Sequence, residues 1–187
     1  MKINQALEEW VNRQDKQRVK GRYYASEISK IKRGYLTPKN FYEKTPITGI
    51  GIANVLQGIA GEDLITRIFT DKGIEFTPQA PKEIQIEEGI VISMKADFLF
   101  RDKLFEAKAP VKPLEEIPER YRDQCEVYFR AFNVPVYLLE IGFNPFTLTP
   151  WLYEPDEERW LDTIKAVKEL HNKLKWQNYP YWNKLNK

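Results

Sequence analysis

The chain has 187 residues, of which 42% are hydrophobic and 30% are charged, and its formal net charge is only +2. This balance is typical of a soluble globular domain, and no apolar run approaches the roughly 20 residues that a membrane-spanning helix needs. The single cysteine, Cys125, excludes a disulfide framework and any site that needs several cysteines for zinc or an iron–sulfur cluster.

The charges are distributed unevenly along the chain. Residues 1–44 hold eleven Lys or Arg and five Asp or Glu, a surplus of six positive charges, so the remainder carries −4. A basic region beside an acidic one suits nucleic acid next to a metal site, although a solvated basic helix end has the same composition. The candidate phosphate contacts in this region are Arg22, Lys30, Lys32 and Arg33. The tyrosines between them are candidates either for base stacking or for the hydrophobic core.

The first half of the chain is predicted to be mostly helical, because its apolar residues recur at three- to four-residue spacing. The predicted elements are helices over residues 2–19 and 26–31, a short helix from Pro38, a long helix over residues 53–72, and a strand over residues 82–87. Glu62 lies on the apolar stripe of the long helix. A carboxylate that faces inward there needs a partner or a metal ion, whereas one at the edge of the stripe can pair with Arg67.

Residues 90–109 are predicted to form a β-hairpin, because apolar and polar residues alternate on both sides of Arg101-Asp102. A two-residue turn there gives the pairs Leu99–Leu104, Phe98–Phe105, Asp97–Glu106, Ala96–Ala107 and Lys95–Lys108. Paired carboxylates roughly 5 Å apart repel each other unless a cation lies between them, and Mg²⁺ is commonly held by one or two carboxylates. Alternatively, the acids and lysines of an exposed hairpin face neutralise one another.

The C-terminal half continues the alternation of helices and strands. The predicted elements are a helix over residues 115–132, a buried strand over residues 134–143, an edge strand over residues 148–153, a helix capped by Asp156, and an aromatic tail. We expect His171, the only histidine, to be a surface or helix-terminus residue near the end of the last helix, and not a metal ligand. The order of elements predicts an α/β fold with a small mixed sheet between helices.

The spacing from Asp97 to Glu106-Ala107-Lys108 resembles the D…ExK signature of the PD-(D/E)XK nuclease superfamily. Two further elements occur in the order found there: Glu62 follows a glycine on the preceding helix, and Gln124 and Tyr128 match a Q-x-x-x-Y motif. The chain is therefore similar to the RecB-like branch, near CRISPR-associated RecB-like nucleases and viral and phage exonucleases. The resemblance covers about residues 22–143 and implies a restriction-endonuclease-like core.

The resemblance implies a single nuclease domain over residues 1–187 that hydrolyses DNA with Mg²⁺ or Mn²⁺. Its parts would be a basic helical region (1–50), a catalytic core (53–143) and a C-terminal strand, helix and tail (144–187). Asp97 and Glu106 would bind the metal, with Glu62 and the Ala107 carbonyl as further ligands. Lys108 would orient or help deprotonate the attacking water, or stabilise the transition state.

Gln124 and Tyr128 would position the DNA strand, and the Q-x-x-x-Y motif favours an exonuclease or a single-strand-directed enzyme. Residues 30–33 read KIKR where the CRISPR-associated relatives carry a cluster cysteine, so no iron–sulfur cluster is expected. Two alternatives remain open, a non-catalytic nucleic-acid-binding or adaptor protein on the same fold and a structure-specific endonuclease. We expect a cytoplasmic protein (in the host cytoplasm if viral) that binds DNA and no membrane, and a homo-oligomer is possible.

Overall fold

The computed structural model describes residues 3–13, 18–42 and 46–176. The helices are α1 (Ile3–Arg13), α2 (Ile28–Lys32), α3 (Pro38–Phe41), α4 (Ile50–Asp71), α5 (Glu119–Phe132) and α6 (Glu157–Trp176), and a 3₁₀ turn (Ala25–Glu27) precedes α2. The strands are β1 (Arg22–Tyr24), β2 (Thr77–Glu87), β3 (Ile90–Leu99), β4 (Leu104–Lys108), β5 (Val136–Phe143) and β6 (Phe146–Leu152). Within these ranges, no helix is both long enough and apolar enough to cross a membrane.

The strands form one six-stranded mixed sheet with the order β1-β3-β4-β5-β6, in which β2 also pairs with β3. The β1–β3 and β4–β5 pairs are parallel, and β2–β3, β3–β4 and β5–β6 are antiparallel. Strand β3 therefore has β2 along its length and shares its remaining pairing between β1 and β4. The predicted α/β class, with a mixed sheet between helices, is confirmed.

Two clusters of buried side chains hold the layers together. The larger contains Leu138 and Val127 and joins the sheet to α2, α5 and α6, while the smaller contains Leu139 and Ile65 and joins the sheet to α4. Consecutive residues of β5 thus enter different clusters, as the alternation of side chains along a strand requires. Full burial of such a side chain is worth about 1.5–3 kcal/mol, so both clusters fix the helices against the sheet.

The hairpin register is confirmed where β3 and β4 meet. Phe98 pairs with Phe105 and Leu99 with Leu104, but the ladder contains no further pairs. The predicted backbone pairs Asp97–Glu106, Ala96–Ala107 and Lys95–Lys108 are wrong. The Asp97 side chain takes the place of a backbone acceptor there, because its Oδ2 accepts a hydrogen bond of 2.8 Å from the Ala107 N–H. The strands diverge at the point where the acidic residues lie.

Several predicted boundaries are wrong for identifiable reasons. Helix α1 is described over Ile3–Arg13, and residues 18 and 19, which were predicted to be helical, are not. Helix α5 begins at Glu119 and not at residue 115, because the extended Pro118 is its N-cap residue. Strand β2 begins at Thr77, five residues before the predicted start at Lys82, because it includes two prolines that do not fit the pattern of a strand. Apart from Trp176, the last residue of α6, the predicted aromatic tail lies outside the described residues.

His171 is not at the surface. Only 5% of it is exposed, and its Nδ1 lies 3.1 Å from the hydroxyl oxygen of Tyr23, which is fully buried. Burial, and then the charges of Lys175 and Lys20, lower the pKa of His171. The histidine is thus a core residue that links α6 to β1. Of the two roles proposed for the tyrosines of the basic region, base stacking and the hydrophobic core, Tyr23 has the core role.

Candidate active site

Glu106 is the centre of the candidate site. It lies on β4 and is only 3% exposed. Its Oε1 accepts hydrogen bonds from the Lys108 ammonium group and, at 2.7 Å, from Gln124 Nε2. Its Oε2 is buried without a hydrogen-bond partner. A buried carboxylate oxygen without a partner is unfavourable by about 1–3 kcal/mol or more, and a cation would satisfy it.

Gln124 and Tyr128 form one hydrogen-bonded unit with Glu106. They are four residues apart on α5, share a face, and are buried. Gln124 Nε2 also donates to the Tyr128 hydroxyl at 2.9 Å, and that hydroxyl donates to the Lys95 carbonyl at 2.9 Å. The Gln124 amide nitrogen and the Tyr128 hydroxyl therefore connect Glu106 to the backbone of β3.

Asp97 lies on β3 and is only 8% exposed. Besides the bond from the Ala107 N–H, it accepts one at Oδ1 from Gln79 Nε2, at 3.1 Å. Burial, and next the negative charges of Glu106 and Glu62, raise the pKa of Asp97 well above its usual value. The charges of Glu106 on β4 and Glu62 on α4 therefore both act on Asp97 on β3, although the three carboxylates come from three different elements.

Glu62 reaches the same place from α4. Its Oε2 accepts a hydrogen bond of 3.1 Å from Gln79 Nε2, so its partner is Gln79 and not Arg67. Burial, and then the charge of Glu106, raise the pKa of Glu62. The preceding residue, Gly61, is buried against β5, where an added Cβ would lie 2.8 Å from Ile141 Cδ1. The glycine thus lets α4 approach the sheet closely enough for Glu62 to reach it.

Lys108 is the cation of the site. Burial alone would lower the pKa of its ammonium group, but the adjacent Glu106 and Asp97 raise it well above the usual value. Lys108 therefore remains protonated at neutral pH. Its Nζ also lies 5.5 Å from the centroid of the Tyr121 ring, and the guanidinium of Arg120 lies 4.6 Å from the same centroid.

Two clefts reach the site from different sides. The first, of about 570 Å³, contains Glu106 and the Q-x-x-x-Y pair, and its wall carries Arg22, Lys82 and Lys95. The second, of about 540 Å³, contains Glu62 and Lys108, with Lys112, Arg120 and Tyr121 on its wall. Positive side chains therefore line both approaches to the carboxylates.

The basic residues predicted to contact phosphates lie in different surroundings. Arg22 lines the first cleft and pairs with Glu83 at 3.3 Å. Lys32 is turned to the buried Asp123, at 2.8 Å. Lys30 and Arg33 are exposed and do not line either cleft. The structure thus brings one of these four residues to the carboxylates.

The carboxylates do not form a ready-made metal cluster. Among the residues that the structure describes, no three His, Cys, Asp or Glu side chains are grouped so that they could hold a metal ion. Gln79 and Lys108 instead occupy carboxylate oxygens that a cation would use. The donor set nevertheless fits Mg²⁺ or Mn²⁺, because its atoms are carboxylate oxygens and the buried Glu106 Oε2 has no partner.

Sequence reasoning missed Gln79, Arg120 and Tyr121. Gln79 was missed because Pro78 and Pro81 obscured the start of β2. Arg120 and Tyr121 are adjacent on α5, one turn before Gln124, and that spacing was an available signal.

No family model matches this sequence, and no curated protein matches it either. Solved structures are similar to it. The protein SSO0001 superposes with a TM-score of 0.62 and 15% identity, covering 98% of this chain and 92% of that chain. An alkaline exonuclease from Laribacter hongkongensis gives a TM-score of 0.59 and 14% identity, covering 89% of this chain and 94% of that one.

A phage-related exonuclease from Haemophilus somnus 129PT gives a TM-score of 0.57 and 12% identity, covering 82% of this chain and 95% of that chain. The Laribacter enzyme was also crystallised in complex with dAMP. At such low identity the likeness establishes the fold alone. The chain has the nuclease fold of these exonucleases, a mixed sheet flanked by helices.

Proposed function

We propose that this protein is a metal-dependent DNA nuclease of the PD-(D/E)XK type, in its RecB-like branch, acting as an exonuclease or on single strands. One observation carries the proposal. Glu106 is buried with one oxygen bound by Lys108 and Gln124, and its other oxygen has no partner. Asp97 lies close enough for its pKa to respond to the Glu106 charge. Such perturbed groups beside a cleft favour a catalytic site over a structural ion pair.

The proposed ligands of Mg²⁺ or Mn²⁺ are Asp97 and Glu106, with Glu62 and the Ala107 carbonyl as additional donors. When bound, the ion would act as a Lewis acid that activates water and neutralises charge on the scissile phosphate. The surrounding protein orients these donors, since Gln124 donates a hydrogen bond to Glu106 and the Ala107 N–H donates one to Asp97. No iron–sulfur cluster is part of the proposal.

Lys108 acts as a cation and not as the base that accepts a proton from water. In the metal-free protein the neighbouring carboxylates raise its pKa, so its amine is protonated at physiological pH before the metal binds. A protonated ammonium instead donates hydrogen bonds to the phosphate oxygens, on which negative charge increases during hydrolysis. Proton acceptance then falls to solvent or to a carboxylate of the site.

The clefts supply the proposed contacts with DNA. In the second cleft, Lys112 and Arg120 are exposed cations, and the half-buried Tyr121 offers a ring face for stacking. Arg22 lines the first cleft, and the exposed Lys30 and Arg33 lie farther out as weaker candidates, together with Lys32. Gln124 and Tyr128 act on DNA chiefly through Glu106, although both also line the first cleft.

The proposal is tested by cleavage of end-labelled single- and double-stranded DNA in Mg²⁺, in Mn²⁺ and in EDTA. We expect cleavage that requires metal and is abolished in Asp97→Ala and Lys108→Ala. Asp102→Ala, at the exposed hairpin turn, is the matched control and should retain activity. Release of labelled mononucleotides indicates an exonuclease, and internal fragments indicate an endonuclease. Unchanged cleavage by Asp97→Ala would contradict the proposal.

One observation favours the alternative of a non-catalytic nucleic-acid-binding protein. The described residues contain no ready-made cluster of three acidic, histidine or cysteine ligands. Titration with Mg²⁺ by calorimetry, alongside DNA binding in EDTA, separates the two functions. Metal uptake supports the nuclease, and DNA binding without metal uptake or cleavage supports the adaptor.

A further inference from the structure

The side chain of Gln79 joins two of the candidate metal ligands. Its Nε2 donates hydrogen bonds to Glu62 Oε2 and to Asp97 Oδ1, both at 3.1 Å. An amide NH₂ group has two hydrogens, so one nitrogen can serve both carboxylates. Glu62 belongs to α4 and Asp97 to β3, so the Gln79 amide connects these two elements through its two hydrogen bonds.

The backbone at Gln79 has an unusual conformation that directs the side chain to this place. Its φ is +48°, a left-handed value that a residue with a Cβ rarely adopts. The only other non-glycine residue with positive φ in the described ranges is Asn133, which ends α5 as its C-cap residue. Gln79 lies inside a strand, where such a value is strained, and strained residues of this kind are found most often at functional sites.

The neighbours of Gln79 explain why the conformation persists. Pro78 pairs with Phe98 and Ala80 pairs with Ala96, so the residues on either side of Gln79 are fixed in the ladder. Between them Gln79 has no ladder partner and lies at the level of Asp97. The positive φ thus interrupts the ladder at this one residue without shifting the register on either side.

We propose that, in the metal-free protein, the Gln79 amide takes the place of the metal ion between Glu62 and Asp97. It hydrogen-bonds to both carboxylates and is displaced when a divalent ion binds. A carboxylate oxygen that accepts the amide N–H at 3.1 Å is shielded from a metal on that side, so amide and ion compete. The inference rests on the proposed metal site. It accounts for carboxylates that interact electrostatically and yet are not grouped as ligands.

The test replaces Gln79 by methionine, which has similar length and no N–H donor. Gln85→Met, at an exposed position on the same strand, is the matched control. Binding of Mn²⁺ alone is measured by calorimetry, and thermal unfolding is measured in EDTA and in saturating Mn²⁺. We expect Gln79→Met to bind Mn²⁺ about tenfold more tightly, because the competing hydrogen bonds are lost only from the metal-free protein.

The same variant should unfold at lower temperature than the wild type in EDTA, and this difference should shrink in Mn²⁺. Equal or weaker Mn²⁺ binding by Gln79→Met than by the wild type would overturn the inference. If the methionine variant fails to fold, Gln79→Gly removes the amide while suiting the positive φ, and the same affinity comparison applies. A wild type that takes up no Mn²⁺ would instead overturn the proposed function itself.

Discussion

Replacing Gln124 by leucine tests whether the Q-x-x-x-Y pair serves mainly to hold Glu106. The substitution keeps the approximate size of a buried side chain and removes two hydrogen bonds, one to Glu106 at 2.7 Å and one to the Tyr128 hydroxyl at 2.9 Å. A bond to a charged group is worth about 1.5–3 kcal/mol and a neutral one about 0.5–1.5 kcal/mol. Tyr128 keeps its bond to the Lys95 carbonyl.

We therefore expect Gln124→Leu to lower the free energy of unfolding by about 2–4 kcal/mol. Urea denaturation followed by tryptophan fluorescence measures this change, with the exposed Gln85→Leu as a control that should differ from wild type by less than about 0.5 kcal/mol. A loss below about 1 kcal/mol for Gln124→Leu would refute the reasoning, because the Glu106 carboxylate would then not depend on the amide.

The same variant separates two roles in the proposed reaction. If Gln124 positions Glu106, its loss lowers kcat and leaves KM for DNA close to the wild-type value. If Gln124 contacts the DNA strand directly, KM rises instead. Steady-state cleavage over a range of substrate concentrations decides between them.

Three further substitutions have expected outcomes. Asp97→Asn should stabilise the protein in EDTA at neutral pH, as measured by thermal unfolding. Burial raises the pKa of Asp97 in the folded protein. The stability that depends on Asp97 is therefore greatest below about pH 4, where this residue is protonated in both the folded and unfolded states, and it is lost as pH rises through the raised pKa. Asparagine does not ionise, so the gain in stability from Asp97→Asn should increase with pH. Glu126→Ala should cost about 3–5 kcal/mol in guanidinium denaturation, because this fully buried carboxylate accepts bonds from Arg130 and Tyr153. Leu138→Ala should cost about 2–5 kcal/mol in the same assay by leaving a cavity in the larger cluster.

Each of these outcomes has a clear counter-result. An Asp97→Asn protein no more stable than wild type at pH 8 in EDTA would contradict the electrostatic crowding of the site. Glu126→Gln should be milder than Glu126→Ala, since it retains the side-chain volume and one acceptor oxygen, and equal losses would mean that the negative charge and the second acceptor oxygen matter more than volume. Leu138→Met, which nearly conserves volume, should lose less than about 1.5 kcal/mol.

Local patterns in the sequence predicted the parts of the fold that depend on neighbouring residues. The alternation around Arg101-Asp102 fixed the pairing of Phe98 with Phe105, because side-chain direction and turn length together determine register. The same pattern extended the ladder past Asp97, where the carboxylate in fact bonds to the Ala107 N–H. The alternation of apolar and polar residues does not reveal that a side chain will replace a backbone hydrogen-bond partner.

Contacts between distant segments were beyond such patterns. The prediction of a surface position for His171 is wrong because its partner, Tyr23, comes from the other end of the chain. Gln79 meets Glu62 and Asp97 only after α4, β2 and β3 have packed together. The site residues Asp97, Glu106 and Lys108 were proposed from their resemblance to a nuclease motif, and their roles remain predictions.

Gly61 has a consequence for how substitutions in this protein should be chosen. A hydrogen atom in place of a side chain sets the depth at which α4 rests on Ile141 of β5. That depth determines how far the carboxylate of Glu62 extends toward the strands. Enlarging residue 61 stepwise, from alanine to valine, is therefore expected to move α4 and the Glu62 carboxylate away from β5 once rotation of the Ile141 side chain no longer makes enough room, while every charge stays in place. Mutagenesis restricted to polar residues would therefore miss a position that controls where the Glu62 carboxylate lies.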